Sequence, residues 1–173
     1  MQIETRPAEE AWAEAQPLHA SVWTPEKMAL SAWRDIVTAD PCQCVLVRDD
    51  DGVLVSYIDI FEREATWDEQ AVRIGGIGGV CTREGRRRQG FARAGMARAA
   101  SFMKNELAAD FGLLFCNKRN YRFYENCGWT RFRGDVFVEQ PAGRMVFNIS
   151  APYVLGFQML PAVGVLDLHG LPW

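Results

Sequence analysis

The sequence predicts a single α/β domain of the α+β kind, built on one mixed, mostly antiparallel sheet. Three observations carry that expectation. Short β-rich runs recur along the chain, and the clearest pair, Cys44 to Arg48 and Val53 to Phe61, is joined by Asp49-Asp50-Asp51-Gly52, a turn whose Asp-Gly step tolerates positive φ. One long segment, Gln89 to Leu107, sets Phe91, Met96, Ala99, Ala100, Met103 and Leu107 near helical spacing, with arginines on the other faces. The length, 173 residues at 49% hydrophobic content, suits one domain that buries its core without disulfides or a structural metal.

The other elements follow in order. Ile3 to Thr5 reads as a first strand. Glu9 to Trp33 favours helix in two pieces, the second opened by Thr24-Pro25-Glu26, which supplies a cap, a first-turn proline and an acid. After the hairpin, Glu62 to Glu69 reads as a polar connector, and Ala71 to Thr82 as a further long strand. Its four glycines, Gly75, Gly76, Gly78 and Gly79, weaken a strand and need a reason. Close approach of a ligand or another backbone is one; a bulge or a looser strand end is the other. Phe111 to Cys116 is a short buried strand, Asn120 to Cys127 a short helix, and Gly128 its stop. Trp129 to Arg133, Asp135 to Glu139 and Arg144 to Ser150 supply β runs, the last two linked by Gln140-Pro141-Ala142-Gly143. The tail, Ala151 to Trp173, is nearly uncharged but broken by prolines and glycines, so it is too interrupted to span a membrane. It is expected to cover a cleft, the core or a homodimer interface.

Composition narrows the function. The formal charge is -3, yet Arg83, Arg86, Arg87, Arg88, Arg93 and Arg98 crowd a stretch whose one acid is Glu84. Such local basicity suits a small polyanionic ligand better than a nucleic-acid track. Cys42, Cys44, Cys81, Cys116 and Cys127 are an odd set and read as reduced thiols of a cytoplasmic protein. His19 and His169 stand in distant segments, so no zinc site is expected. Met1 to Glu10 is polar and acidic, unlike a secretory signal.

The central feature is a strand, an arginine-rich turn, a glycine and a helix: Gly79-Val80-Cys81-Thr82 runs on to Arg86-Arg87-Arg88-Gln89-Gly90-Phe91-Ala92-Arg93. A helix start presents unpaired N–H groups and the positive end of its dipole. Gly90 and Ala92 are small enough to let a diphosphate come close. The spacing fits neither a P-loop nor a three-glycine dinucleotide fingerprint.

These residues resemble the GCN5-related N-acetyltransferase superfamily, whose turn reads Gln or Arg, two residues, Gly, one residue, then Gly or Ala; Arg87, Gly90 and Ala92 fill those places. The segment from Asn117 through Tyr124 to Gly128-Trp129 resembles the superfamily's second motif, with Asn117 and Tyr124 seven apart; it departs from it in Asn120, where a small residue is common. The resemblance implies a sheet that splays between the fourth strand, Ala71 to Thr82, and the fifth, Phe111 to Cys116, with helices on both faces. It also implies acetyl-coenzyme A (acetyl-CoA) as the acyl donor. Val80, Cys81 and Thr82 would line its pantetheine arm together with Asn117, and the turn from Arg87 through Arg88, Gln89, Gly90, Phe91 and Ala92 to Arg93 would hold its pyrophosphate.

Transfer to an amine needs a base, an oxyanion donor and an acid, because an ammonium with a pKa near 10 cannot attack a thioester and the expelled thiolate wants a proton. Tyr124 is placed as the acid, and a backbone N–H near Val80 as the oxyanion donor. Many relatives carry a strand glutamate as base just before the Val80 position; this chain has Gly75, Gly76, Ile77, Gly78 and Gly79 there. The remaining candidates are Glu62, which is preferred with water relaying the proton, Asp59, Asp35, or a water chain ending at the terminal carboxylate.

The expected acceptor is a primary amine of a small molecule. A looser likeness to aminoglycoside 2'-N-acetyltransferases, which would imply a role in antibiotic resistance, places Asp167 and Trp173 near that amine, with Asp35 as another contact. The apolar tail and Trp12, Trp23, Trp33 and Trp67 would suit an amine with a hydrophobic body equally well. A noncatalytic acyl-CoA sensor that keeps the cofactor site without the base is the alternative from another class.

Overall fold

The computed structural model describes residues 1–173. Gln2–Pro7 forms β1 and pairs antiparallel with β2, Gln43–Arg48, which pairs in turn with β3, Leu54–Trp67. The hairpin turn between β2 and β3 forms as expected: Gly52 takes φ +78°, and Asp49 Oδ1 accepts from the N–H groups of Asp51 and Val53.

β3 continues six residues beyond Phe61, so the expected connector is mostly strand. Asp68 and Glu69, at φ +46° and +67°, make a two-residue turn into β4, Gln70–Thr82, and the two strands pair along nearly their whole length. Polar residues there look like a loop in the sequence because one face of this arm is wet. Glu62 and Glu64 alternate with inward Ala65 and reach Arg73 of β4 at 3.7 and 2.9 Å.

Helix α1, Ala8–Val22, buries Ala11, Ala15 and Leu18 against Tyr57 and Leu46 on one face of the sheet. The second helical piece is short: α2 covers only Pro25–Ala29, with Thr24 capping through the Lys27 N–H, and residues 30–42 run on as turns and extended chain. Helix α3, Phe91–Asn105, packs Met96, Ala99 and Met103 on the opposite face, against Ile58, Ile60 and Ile77. Burying each of the two methionines contributes about 2 kcal/mol.

β5, Phe111–Cys116, lies parallel to β4; α4, Tyr121–Glu125, follows a single 3₁₀ turn over Lys118–Asn120. The remaining strands are β6 (Thr130–Arg131), β7 (Asp135–Gln140), β8 (Gly143–Val146), β9 (Ala151–Gly156) and β10 (Val165–Asp167). The tail is therefore more than a cover. β9 inserts antiparallel between β5 and β6, and β10 bridges β3 and β7, so one sheet runs β6-β9-β5-β4-β3-β10-β7-β8.

The β4 glycines have separate reasons. A Cβ on Gly75 would lie 2.6 Å from Met103 Sδ, one on Gly76 would enter the Trp173 indole, and one on Gly78 would lie 2.9 Å from Phe61. Gly79 sits in a bulge, where the register steps from Asp59–Gly78 to Tyr57–Cys81, and takes φ +57°. Three glycines thus admit large side chains from other elements, and the fourth is the bulge.

Candidate functional site

β4 and β5 pair only from Ile74–Ile77 to Phe111–Leu114; past Leu114, β5 pairs with β9 alone. The edge of β4 from Gly78 to Thr82 is left without a strand neighbour, which opens the sheet beside the bulge. A cavity of about 880 Å³ lies against this opening, bounded by α1, residues 31–41, β3, the bulge, α4 and Trp173.

Asp59 stands at the bulge. Its side chain is buried on the cavity face of β3, where a Cβ on Gly79 would collide with Oδ2 and where the Tyr57 hydroxyl donates to Oδ1 at 2.5 Å. Burial pushes this carboxyl up to about 6, against the opposing pull of the Tyr57 hydrogen bond. The neighbouring acids hold their protons more tightly still. Burial, reinforced by the Asp59 charge, pushes the Cys44 and Cys81 thiols up to about 12 and raises the Tyr57 phenol as well. Asp59 is consequently the member of this buried cluster that changes charge near neutrality.

Tyr124 lines the same cavity from α4 and is buried beside Phe123, with ring centroids 5.0 Å apart. Burial raises its hydroxyl above the ordinary phenol value, and proximity to Cys116 adds to the effect, so the proton stays on at neutral pH. Asn117 also lines the cavity; Ser150 donates to its Oδ1 at 3.5 Å and accepts from Trp33 Nε1 at 2.9 Å.

At the other end of the opening, α3 begins without a side-chain cap at Gly90, which takes φ +89°. The first helical acceptor bond is Ala94 N–H to Gly90 O, leaving the amides of Phe91, Ala92 and Arg93 without intrahelical partners. A Cβ on Gly90 would meet nothing within 4 Å, so the approach to these amides is clear. Arg88 holds φ +62°, a costly conformation for a residue with a side chain, and makes no ion pair or hydrogen bond inside the protein. The other arginines are more constrained: Arg86 pairs with Asp49 at 2.8 Å, Arg83 donates to Leu54 O, and Arg87 Nε donates to Thr82 O. The Arg86 and Arg87 amides are already bonded, to Arg83 O and Glu84 O, so the open amides begin after Arg87.

The sequence profile of the acetyltransferase (GNAT) domain matches residues 5–132. This chain belongs to that family. Solved structures agree on the fold of the acetyltransferase domain. A GNAT family N-acetyltransferase from Escherichia coli (YhbS), solved in complex with CoA, aligns with TM-score 0.63 at 15% identity over 97% of this chain and 89% of its own. A putative N-acetyltransferase from Lactobacillus plantarum aligns with TM-score 0.63 at 18% identity over 90% and 97%. Glucosamine-6-phosphate N-acetyltransferase from Arabidopsis thaliana aligns with TM-score 0.53 at 14% identity over 74% and 91%. No curated protein matches the chain in sequence.

The acetyltransferase domain gathers some of the expected site residues and separates others. Val80, Asn117, Tyr124 and Trp173 share the cavity, and Arg88 to Arg93 sit at the start of α3. Cys81 is turned into the α1 side of the core, and Thr82 is bonded to Ser56 at 2.9 Å. Glu62 is outside the cavity: strand alternation puts it on the face opposite Asp59, exposed and near Arg73. Asp35 is exposed and held by Arg34 at 3.1 Å. Asp167 accepts from Arg144 Nε at 2.7 Å and from the His169 N–H at 3.0 Å, in β10 and away from the cavity. Of the three acids on β3, Asp59, the candidate ranked behind Glu62 in the sequence, is the one that reaches the cavity. The signal for it was parity with Tyr57 and Phe61, hidden because Glu62 reads as the start of a loop.

Proposed function

We propose that the chain is an acetyl-CoA-dependent N-acetyltransferase acting on a primary amine of a small molecule, with Asp59 accepting the amine proton and Tyr124 acting as general acid. The observation that carries this reading is the Asp59 carboxyl, buried in the bulge at about 6 and facing the cavity that Tyr124 also lines. A base poised near the working pH is what removal of an ammonium proton requires. Its place on β3 compensates for the missing acid on β4.

The residues fit the donor. The open amides of α3, the clear approach at Gly90 and the unengaged Arg88 suit a pyrophosphate, and the unpaired edge of β4 past Ile77 suits an amide-bearing arm. Acetyl-CoA supplies an activated acetyl group as a thioester. Asp59 takes one proton from the ammonium, so that nitrogen can form its bond to the acetyl carbon. A backbone N–H near Val80 steadies the carbonyl oxygen. As the carbon–sulfur bond breaks, Tyr124 gives its proton to sulfur and recovers one from the nitrogen that has become an amide. The balance is one amide, one thiol and one proton released.

The likeness to aminoglycoside 2'-N-acetyltransferases gains nothing from this geometry, because Asp167 is engaged by Arg144. A noncatalytic acyl-CoA sensor is favoured by one observation, the absence of an acid at Gly78. Thiol release from acetyl-CoA over a panel of primary amines, compared with the Asp59→Asn variant, tests the proposal. Turnover that Asp59→Asn lowers by about 10² or more supports it; tight acetyl-CoA binding with no turnover of any amine establishes the sensor instead.

A further inference from the structure

Four of the six tryptophans, far apart in the chain, converge on the cavity that holds Asp59. Trp12 comes from α1, Trp23 from its C-cap, Trp33 from the turns after α2, and Trp173 from the chain end. Phe61 of β3 and Phe115 of β5 complete the wall. This is not the pattern of a closed core. Trp12, 41% exposed, and the half-buried Trp23 and Trp33 border open space, while Trp173 is buried behind them.

The rings are held in place from behind. Trp173 stacks on Phe61 with centroids 5.4 Å apart and planes 15° apart, and its Nε1 donates to Leu113 O at 3.4 Å. Trp33 packs on Phe147 at 4.9 Å and donates through Nε1 to Ser150. With the indole N–H groups of Trp33 and Trp173 bonded inside the protein, half-buried Trp33 offers the cavity carbon surface, and buried Trp173, stacked on Phe61, backs the wall with carbon. Trp12 meets His19 edge-on at 5.3 Å, and burial lowers the imidazole's pKa, so His19 adds a neutral ring at pH 7.

The charges lining the cavity are few and mostly negative. Glu9, Asp40 and Asp59 face one guanidinium, Arg34, which is already paired with Asp35. An anionic acceptor would find no free cation here, and a polycation would find one buried carboxylate, with Glu9 and Asp40 exposed and aromatic walls around it. A single ammonium joined to an apolar ring matches both features: the ammonium is drawn to Asp59 and the π faces, and the ring fills the aromatic wall.

We infer that the acceptor is an amine carrying one positive charge on an aromatic body, an arylalkylamine, bound between the tryptophans with its nitrogen at Asp59. The inference rests on the acetyltransferase reading above and names the substrate class of the same site.

The test is thiol release from acetyl-CoA with the full chain and four acceptors: phenethylamine, tryptamine, propylamine and kanamycin. The two arylalkylamines are expected to exceed propylamine and kanamycin by about tenfold or more in kcat/KM, the discrimination an apolar pocket of this kind gives. Trp33→Ala and, as the more exposed position less able to disturb folding, Trp12→Ala should raise the phenethylamine KM several-fold while leaving the KM for acetyl-CoA unchanged. Quenching of tryptophan emission by phenethylamine should saturate in the absence of acetyl-CoA. Propylamine or kanamycin turned over as well as the arylalkylamines would overturn the aromatic acceptor and leave the acetyltransferase standing. Acetyl-CoA binding with no turnover of any amine would remove the acetyltransferase reading and this inference with it.

Discussion

Tyr57 donates its hydroxyl to Asp59 Oδ1 at 2.5 Å, and both residues are buried on the cavity face of β3. The bond favours the charged carboxylate, whereas burial disfavours it, and burial prevails. Burial therefore sets the direction in which a base on this strand titrates, and the hydroxyl limits how far it goes.

The rate profile should report that balance. kcat/KM for an acetylated amine should rise with pH through an acidic limb near 6, the value at which Asp59 loses its proton. Tyr57→Phe removes the bond that lowers the carboxyl and should move the limb upward by roughly one unit. Glu62→Ala, on the opposite face of β3, should leave the limb in place. Initial rates from pH 5 to pH 8 on the three proteins check this; a limb that moves with Glu62 and not with Tyr57 assigns the base to the wrong residue here.

Asp59 should also destabilise the fold at neutral pH. Its carboxyl titrates near 3.9 in an unfolded chain and at about 6 in the folded one, so the native state holds the proton more tightly. The resulting stability is fully present below about pH 4 and is lost as pH rises through 6, a difference on the order of 2 to 3 kcal/mol. Asp59→Asn keeps an acceptor for Tyr57 and has no proton to lose. Urea melts should find the variant more stable than the native protein at pH 8 and no more stable at pH 4.

Gly76 should tolerate no side chain. A Cβ there enters the buried Trp173 ring, itself stacked on Phe61, so Gly76→Ala should cost about 1 to 3 kcal/mol by overpacking. Gly85, with nothing near its Cβ position, should accept alanine with little change. Thermal melts of the two variants decide it.

The turn before α3 should separate binding from folding. Arg88 holds φ +62° without a protein partner, so Arg88→Gly relaxes the backbone and removes an unpartnered cationic side chain. Acetyl-CoA affinity should fall roughly fivefold to tenfold, with weaker salt dependence, while the melting temperature holds or rises. Calorimetric titration with acetyl-CoA at two salt concentrations measures it.

Tyr124→Phe should lower kcat by about 10- to 100-fold without moving the acidic limb, since the phenol stays protonated across that range. A viscosity-independent drop in kcat with unchanged acetyl-CoA affinity would identify loss of the acid and not loss of packing.

The sequence by itself determined what is local. The hairpin at Asp49 to Gly52, the arginine turn ending in Gly90, helix α3 and the Asn117-to-Tyr124 segment each depend on backbone preferences and spacing within a few neighbouring residues, and each formed where expected. Tertiary structure decided what depends on pairing. Glu62 and Asp59 are three residues apart and chemically alike, but the extension of β3 to Trp67 put them on opposite faces, and the bulge at Gly79 gave Asp59 its buried place. The tail reads as an interrupted apolar cover because its strands are short, and they form only where β5 and β6 flank β9 and where β3 and β7 flank β10. Strand parity and long-range pairing are properties of the whole sheet. The base and the aromatic walls lie on contacts between segments up to 161 residues apart, from Trp12 to Trp173, which no local pattern records.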